Sequence, residues 1–293
     1  MSDLATSSGL EKSNGALDHL IYVLKENPVT LIAFAMFAVL IFVAVFGPVI
    51  APYDPMQSDA AAALQPPLLA HWFGTDNLGR DVFSRALVAA RLDLMISVAA
   101  VALSFVFGSF LGAVAGYWGG LIDGVLNRIF DTIMAFPLFV LAMGIVAALG
   151  NTVENIVYAT AVINIPFYAR LVRAEVNIRR TSGFAQAAKL AGNSDLRVLA
   201  FHIYPNALPP MMVQVSLNLG WAILNAAGLS FIGLGVRPPT AEWGIMVAEG
   251  ANFIVSGEWW LALFPGAMLM FAVFTFNLLG DGLRDIVDPR QRT

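Results

Sequence analysis

Apolar positions along this chain gather into six runs long enough to cross a bilayer, separated by polar intervals of unequal length. About 20 residues of helix cover the hydrocarbon core, and the runs fall at about 29–50, 94–117, 129–149, 156–171, 208–234 and 259–279. The first opens on Asn27-Pro28, with Asn as cap and Pro at the first helical position. Pro137, Pro166 and Pro265 lie inside the third, fourth and sixth runs. Each removes a backbone hydrogen bond and predicts a kink. Gly108, Gly112 and Gly116, four residues apart, predict a close helix contact for the second run, as Ala226, Ala227 and Gly228 do for the fifth. Tyr117, Trp118, Trp243, Trp259 and Trp260 are expected at span ends as interfacial aromatics, with Trp221 deeper.

The polar intervals carry their own patterns. Residues 1–28 form a tail whose start reads as disordered, and whose Leu17, Leu20, Ile21 and Leu24 form an apolar stripe that fits either a short interfacial helix or an N-terminal extension of the first span. Residues 51–93 form a long loop in which Gly74, Asp76, Asn77 and Gly79 are turn formers, after which Val82, Phe83, Leu87 and Ala90 begin a helix. Residues 94–280 hold the remaining five spans, and 281–293 a second tail.

Within that core, residues 179–207 read as a helix, a glycine turn and a second helix. Phe184, Ala187, Ala188 and Ala191 recur at helical spacing and predict one face built mostly of methyl groups. Gly192 sits where a left-handed C-terminal cap belongs. Ser194 can cap the second helix, Asp195 meets the positive end of its dipole, and Arg197 follows. Leu196, Leu199, Ala200 and Ile203 form its stripe, and Pro205 makes its continuation unfavourable. A two-helix elbow results.

Composition fixes the class as an all-α polytopic membrane protein: 58% of the 293 residues are hydrophobic, 12% are charged, and the mean hydropathy is +0.75. The net charge of −4 decides little, because local Lys and Arg placement sets orientation. With both ends on the cytoplasmic side, 12 of the 16 basic residues fall on that side, the four exceptions being Arg80, Arg85, Arg91 and Arg237. Cysteine is absent, so no disulfide or thiolate chemistry is available. His19, His71 and His202 are too scattered for a metal site. The chain has no phosphate-binding loop, and ionisable groups are nearly absent from the span centres, which are apolar with an occasional Asn164, Asn218, Asn225 or Asn277. An ion-driven transporter or an intramembrane hydrolase needs such groups at that depth. No catalytic residue, bound cofactor or nucleic-acid partner is expected.

Two motifs carry a family resemblance. The elbow resembles the coupling loop of permease subunits in bacterial ABC importers: Gln186, Ala187, Ala188, Gly192 and Pro205 fall in register with the pattern Glu-Ala-Ala, three residues, Gly, nine residues, Ile, one residue, Leu-Pro. Gln186 stands where that pattern has an acid, and His202 and Tyr204 where it has Ile and Leu; the run from His202 to Asn206 is similar to the HILPN variant of the peptide and nickel branch. FGTDNLGRDVFSR, which holds Gly74, Asp76, Asn77, Gly79, Arg80 and Asp81, resembles the extracytoplasmic loop of the C-type permease of dipeptide, oligopeptide and nickel importers, and FIGLGVRPPTAEWGIMV and FNLLGDGLRDIVDPR are similar to that family's later segments.

The resemblance implies a type I importer permease in the bacterial inner membrane. Its implied partners are a homologous second permease, two ATP-binding subunits that carry ATP and Mg, a periplasmic substrate-binding protein that docks near 51–93, and membrane lipid. The elbow would dock on an ATP-binding subunit. Peptides are the implied cargo, with glutathione and chelated nickel open. A non-transporting receptor or scaffold of the same fold is the alternative from another class.

Overall fold

The computed structural model describes residues 27–287, so the interfacial helix or span extension expected within 1–28 and the last residues of the tail lie outside the described residues. The described chain is helical. It has no strand beyond a single antiparallel bridge between Thr75 and Asp81.

Helix α1 (Pro28–Ile50) is capped by the Asn27 side chain, which accepts from the Val29 and Thr30 amides at 3.1 and 3.3 Å. Helix α2 (Val82–Trp118) is 37 residues long, roughly 55 Å at 1.5 Å per residue, against a hydrocarbon core of about 30 Å. It therefore starts 12 residues before the apolar run did, and the expected boundary at 93/94 lies inside one continuous helix. Helices α3 (Gly120–Ala135) and α4 (Leu138–Leu149) meet at 92° across Phe136-Pro137. The third apolar run is thus a broken crossing, not a kinked one. Helix α5 (Val153–Arg179) continues past Pro166 as one element.

After the elbow come α7 (Pro209–Phe231), the short α8 (Trp243–Ala251) and α9 (Trp260–Val287); α6 is the first elbow arm, Gly183–Leu190. Helix α9 continues past 280 into the expected tail. Its Gly282 approaches Thr30, so the start of α1 and the end of α9 share one end of the bundle. That end is also where α2 and α5 finish, because Arg180 donates to the Gly116 and Tyr117 carbonyls at 3.2 and 3.1 Å. At the other end, Asn151 donates to the Gly233 carbonyl at 2.9 Å and the Trp260 indole to the Thr75 carbonyl at 3.3 Å. The chain accordingly passes from end to end six times.

The glycine spacing of α2 does what it predicts. A Cβ on Gly108 would lie 2.7 Å from the Ile165 carbonyl oxygen, and one on Gly116 2.6 Å from that of Arg173, so α2 and α5 pack backbone to backbone from Ile165 to Arg173. Trp243 departs from its expected place. It is fully buried, not interfacial, with its indole donating to the Ala86 carbonyl at 2.9 Å.

Candidate functional site

Two assemblies stand at opposite ends of α2. The first is the elbow. Its arm α6 closes with the Gly192 amide on the Lys189 carbonyl (2.9 Å) and the Asn193 amide on the Ala188 carbonyl (3.3 Å), Gly192 having a φ of +85°. This pair of bonds is the Schellman closure that glycine permits. The second arm is helical from Asp195 to Ala207, with a π-helical turn over Val198–Ile203. Pro205 does not stop this arm as expected. It occupies the first turn of Tyr204–Ala207, where its missing N–H costs little, and the wider π turn before it makes room for the ring. Ser194 sits at the N-cap position but makes no capping bond with its side chain.

The elbow's inner side packs Ala185, Ala188, Val198, Leu199, Ile203 and Ala207 against Tyr117, Val172, Val176 and Met211. Of the predicted stripes only Ala188, Leu199 and Ile203 face inward. Phe184, Leu190, Leu196 and Phe201 face outward, with Leu190 90% and Phe201 72% exposed. Gln186, Ala187, Arg197 and Pro205 are also exposed, and His202 is half-buried. Gln186 donates to the Thr181 carbonyl at 3.0 Å, so its side chain is spent within the elbow.

Three groups lock the bend. Tyr117 donates its hydroxyl to Asp195 at 2.7 Å, and Lys189 bridges the same oxygen at 2.9 Å while lying 5.4 Å from the Tyr117 ring centroid. The hydrogen bond to Asp195 holds the Lys189 ammonium above its ordinary range; the same bond, with that from Tyr117, holds the Asp195 carboxyl below its own. Tyr204 meets Ser109 of α2 at 2.8 Å. The sequence pattern does not point to Tyr117 or Ser109, since nothing in the spacing brings α2 to the elbow.

The second assembly is the cap over the start of α2. Gly74 and Gly79 take φ of +71° and +74°, and a Cβ on Gly79 would collide with the Asp59 carbonyl. Asp76 accepts from the Leu78 and Arg80 amides at 2.9 and 3.0 Å and from Arg80 Nε at 2.6 Å. Asp81 caps α2 through the Ser84 amide and hydroxyl, both at 2.7 Å, and pairs with His71 Nδ1 at 2.8 Å. Arg80 and Arg85 are almost wholly buried, Arg85 donating to the Pro55 and Pro239 carbonyls at 3.1 and 3.3 Å. Glu249 lies 3.6 and 3.9 Å from the two guanidinium groups. Among these motif residues Asn77 and Leu78 are exposed, and none of the charged ones is. The charged letters of the motif therefore hold the cap's own fold.

Below it, Glu242 caps α8 by accepting from the Gly244 and Ile245 amides at 2.9 and 2.8 Å, and Asp93 accepts from the Trp243 amide at 3.1 Å. Burial raises the Glu242 carboxyl above its usual range. Among the described residues no cluster of three His, Cys, Asp or Glu could hold a metal.

Comparison with known proteins places this architecture. Residues 108–293 match the family model described as binding-protein-dependent transport system inner membrane component, and residues 20–67 match the N-terminal TM domain of oligopeptide transport permease C. The chain is 43% identical over 277 residues to the probable D,D-dipeptide transport system permease protein of Escherichia coli, covering 94% of this chain and 92% of that one. It is 42% identical to the dipeptide transport system permease protein of Alkalihalophilus pseudofirmus (92% and 88% covered), and 42% identical to a glutathione transport system permease protein of Escherichia coli (87% and 85% covered). With its six crossings and projecting elbow, this chain belongs to the family of binding-protein-dependent transport system inner membrane components.

Proposed function

We propose that this chain is a permease subunit of an ATP-driven importer that carries short peptides from the periplasm to the cytoplasm. The observation that carries the reading is the elbow: a rigid bend, fastened to the ends of α2 and α5, that exposes Phe184, Leu190, Leu196 and Phe201 on its outer side. Exposed apolar side chains in one cluster mark a surface that a partner covers. An ATP-binding subunit is the partner this reading assigns, two of them serving this chain and a homologous second permease. Movement of either arm is transmitted through Tyr117, Val172 and Val176 into two spans at once. ATP and Mg belong to the partner subunits, and this chain makes or breaks no bond.

Both chain ends are assigned to the cytoplasm. Apart from Arg80, Arg85, Arg91 and Arg237, the basic residues of the described chain lie toward the elbow end, which suits the cytoplasmic excess of Lys and Arg. The cap then faces the periplasm, where Asn77 and its neighbours are presented to a substrate-binding protein. Peptide cargo rests on the names of the relatives, and the glutathione relative keeps that tripeptide as the second reading.

The test is ATPase activity of the co-purified complex in lipid, with the binding protein loaded in turn with di- to hexapeptides, glutathione and nickel chelates. Stimulation by peptides is expected. Activity indifferent to every cargo would favour the receptor or scaffold alternative.

A further inference from the structure

Midway along the bundle an open groove of about 440 Å³ runs between α5, α7 and α9. Its polar lining is Asn164, Gln214, Asn218 and Asn277, and its aromatic lining includes Phe167 and Trp221. Asn164 lies 11 residues into α5, Asn218 9 residues into α7 and Asn277 17 residues into α9, well away from the helix ends. Gln214 donates to Asn218 Oδ1 at 2.9 Å, the Asn218 amide lies beside the buried Tyr168 hydroxyl, and Asn164 donates to the Thr160 carbonyl of its own helix at 3.1 Å. Asn277 is exposed.

Four amide side chains turned to one groove at this depth do not suit a lipid-facing surface, because hydrocarbon satisfies no donor or acceptor. The outer face of α1, with Val39 and Phe42 exposed, shows what this chain presents to lipid: no polar atom at all over the same depth. The groove therefore does not face lipid, and its amides suit water or a polar ligand. Its chemistry is neutral. An amide both donates and accepts, as a peptide group does, and none of the groove's residues carries a charge. A carboxylate or ammonium at this depth would bind one charge type tightly and hinder release; amides pair with the backbone common to all peptides.

We infer that this groove is the chain's share of the translocation path, with Asn164, Gln214, Asn218 and Asn277 contacting the backbone of the passing peptide and Phe167 and Trp221 flanking its side chains. This rests on the transport reading above and names the residues that reading leaves open.

Absence of cysteine allows a direct test in the reconstituted complex. Gln214→Cys, Leu224→Cys and Asn277→Cys, all lining the groove, and Val39→Cys on the outer face of α1 are reacted with a small charged methanethiosulfonate, with and without a tripeptide that the wild-type complex imports. The groove cysteines are expected to react at least tenfold faster than Val39→Cys, and the tripeptide to slow them at least threefold. Groove cysteines as inert as Val39→Cys in a complex that imports peptide would overturn the inference, as would fast labelling that the imported tripeptide leaves unchanged. A wild-type complex that imports no peptide would instead sink the transport reading, and with it the peptide-backbone assignment.

Discussion

Gly112 of α2 rests against the backbone of Ala169 on α5, so closely that a single added methyl would overlap the Ala169 carbonyl. Gly108 and Gly116 make the same kind of contact one turn to either side. Because the obstacle is backbone, neither helix can yield by a rotamer change.

Gly112→Ala should therefore separate α2 from α5 and cost about 1–3 kcal/mol, the range for overpacking a tight core. Gly124→Ala, whose Cβ would meet nothing within 4 Å, is the control. Thermal unfolding in detergent should show a clear loss for the first variant only. Equal melting of the two would mean the helices are less closely docked than they stand here.

Gly192 poses the opposite case. A Cβ there meets nothing within 4 Å, yet the φ of +85° is one that β-branched residues resist. Gly192→Val should strain the bend by roughly 1–2 kcal/mol and abolish co-purification of the ATP-binding subunits, while Gly192→Asn, which tolerates the left-handed region, should retain them. Loss in both variants would point to a requirement other than backbone conformation.

How far these features were legible in the sequence differs by cause. Gly192, the α2 glycines and the six crossings follow from local rules, since spacing and backbone freedom need no knowledge of neighbours. Which elbow face turns inward does not. Ala185 and Ala188 are buried and Phe184 and Ala187 are not, because Tyr117 arrives from a span far away in sequence and packs there beside Val176. Trp243 misled for the same reason: near a predicted span end it reads as an interfacial anchor, but its indole reaches the Ala86 carbonyl of α2 and is buried there. Pro137 announced a kink, and the 92° break depends on where α4 can find the packing partners Ile156 and Leu229. In the motif around Asp76, the number of charges in a short loop already suits a self-supporting fold, while the partners they find, Glu249 and the Pro55 and Pro239 carbonyls, come from segments the spacing does not connect.

That inward placement yields a stability prediction. Asp76→Asn would leave Arg80 and Arg85 buried with Glu249 as their remaining anionic neighbour, and removing one partner of a buried ion pair costs about 3–5 kcal/mol. Asp76→Asn combined with Arg80→Gln should recover part of the loss, because the unpaired charge is gone. A melting temperature for the double variant below that of the single would sink this account of the cap.

The clamp at the elbow should be indifferent to pH across the physiological range. Asp195 is held below its ordinary range by Lys189 and then Tyr117, so its contribution is present above the unfolded value, about 3.9, and fades only as pH falls through the lower folded value. Lys189 is held above its range by Asp195 and then Tyr117; its contribution is present below about 10.4 and fades as pH rises beyond that. A spin label at Asn193→Cys should therefore keep one mobility from about pH 5 to 9, within both limits. Asp195→Asn should mobilise it at every pH in that interval. A mobility step near neutrality would implicate a group outside this clamp.

Orientation gives the last test. The cap and the elbow lie at opposite ends of α2, so one impermeant label distinguishes the two possible insertions. Asn77→Cys is exposed on the cap, and Leu190→Cys replaces an elbow side chain that is 90% exposed. In intact cells stripped of their outer membrane, and lacking the ATP-binding subunits so that nothing shields the elbow, only Asn77→Cys should react. Permeabilisation should then admit the label to Leu190→Cys. The reverse pattern would place the elbow outside, where no ATP-binding subunit could reach it, and the excess of basic residues at the elbow end would then stand on the side of the membrane that such residues ordinarily avoid.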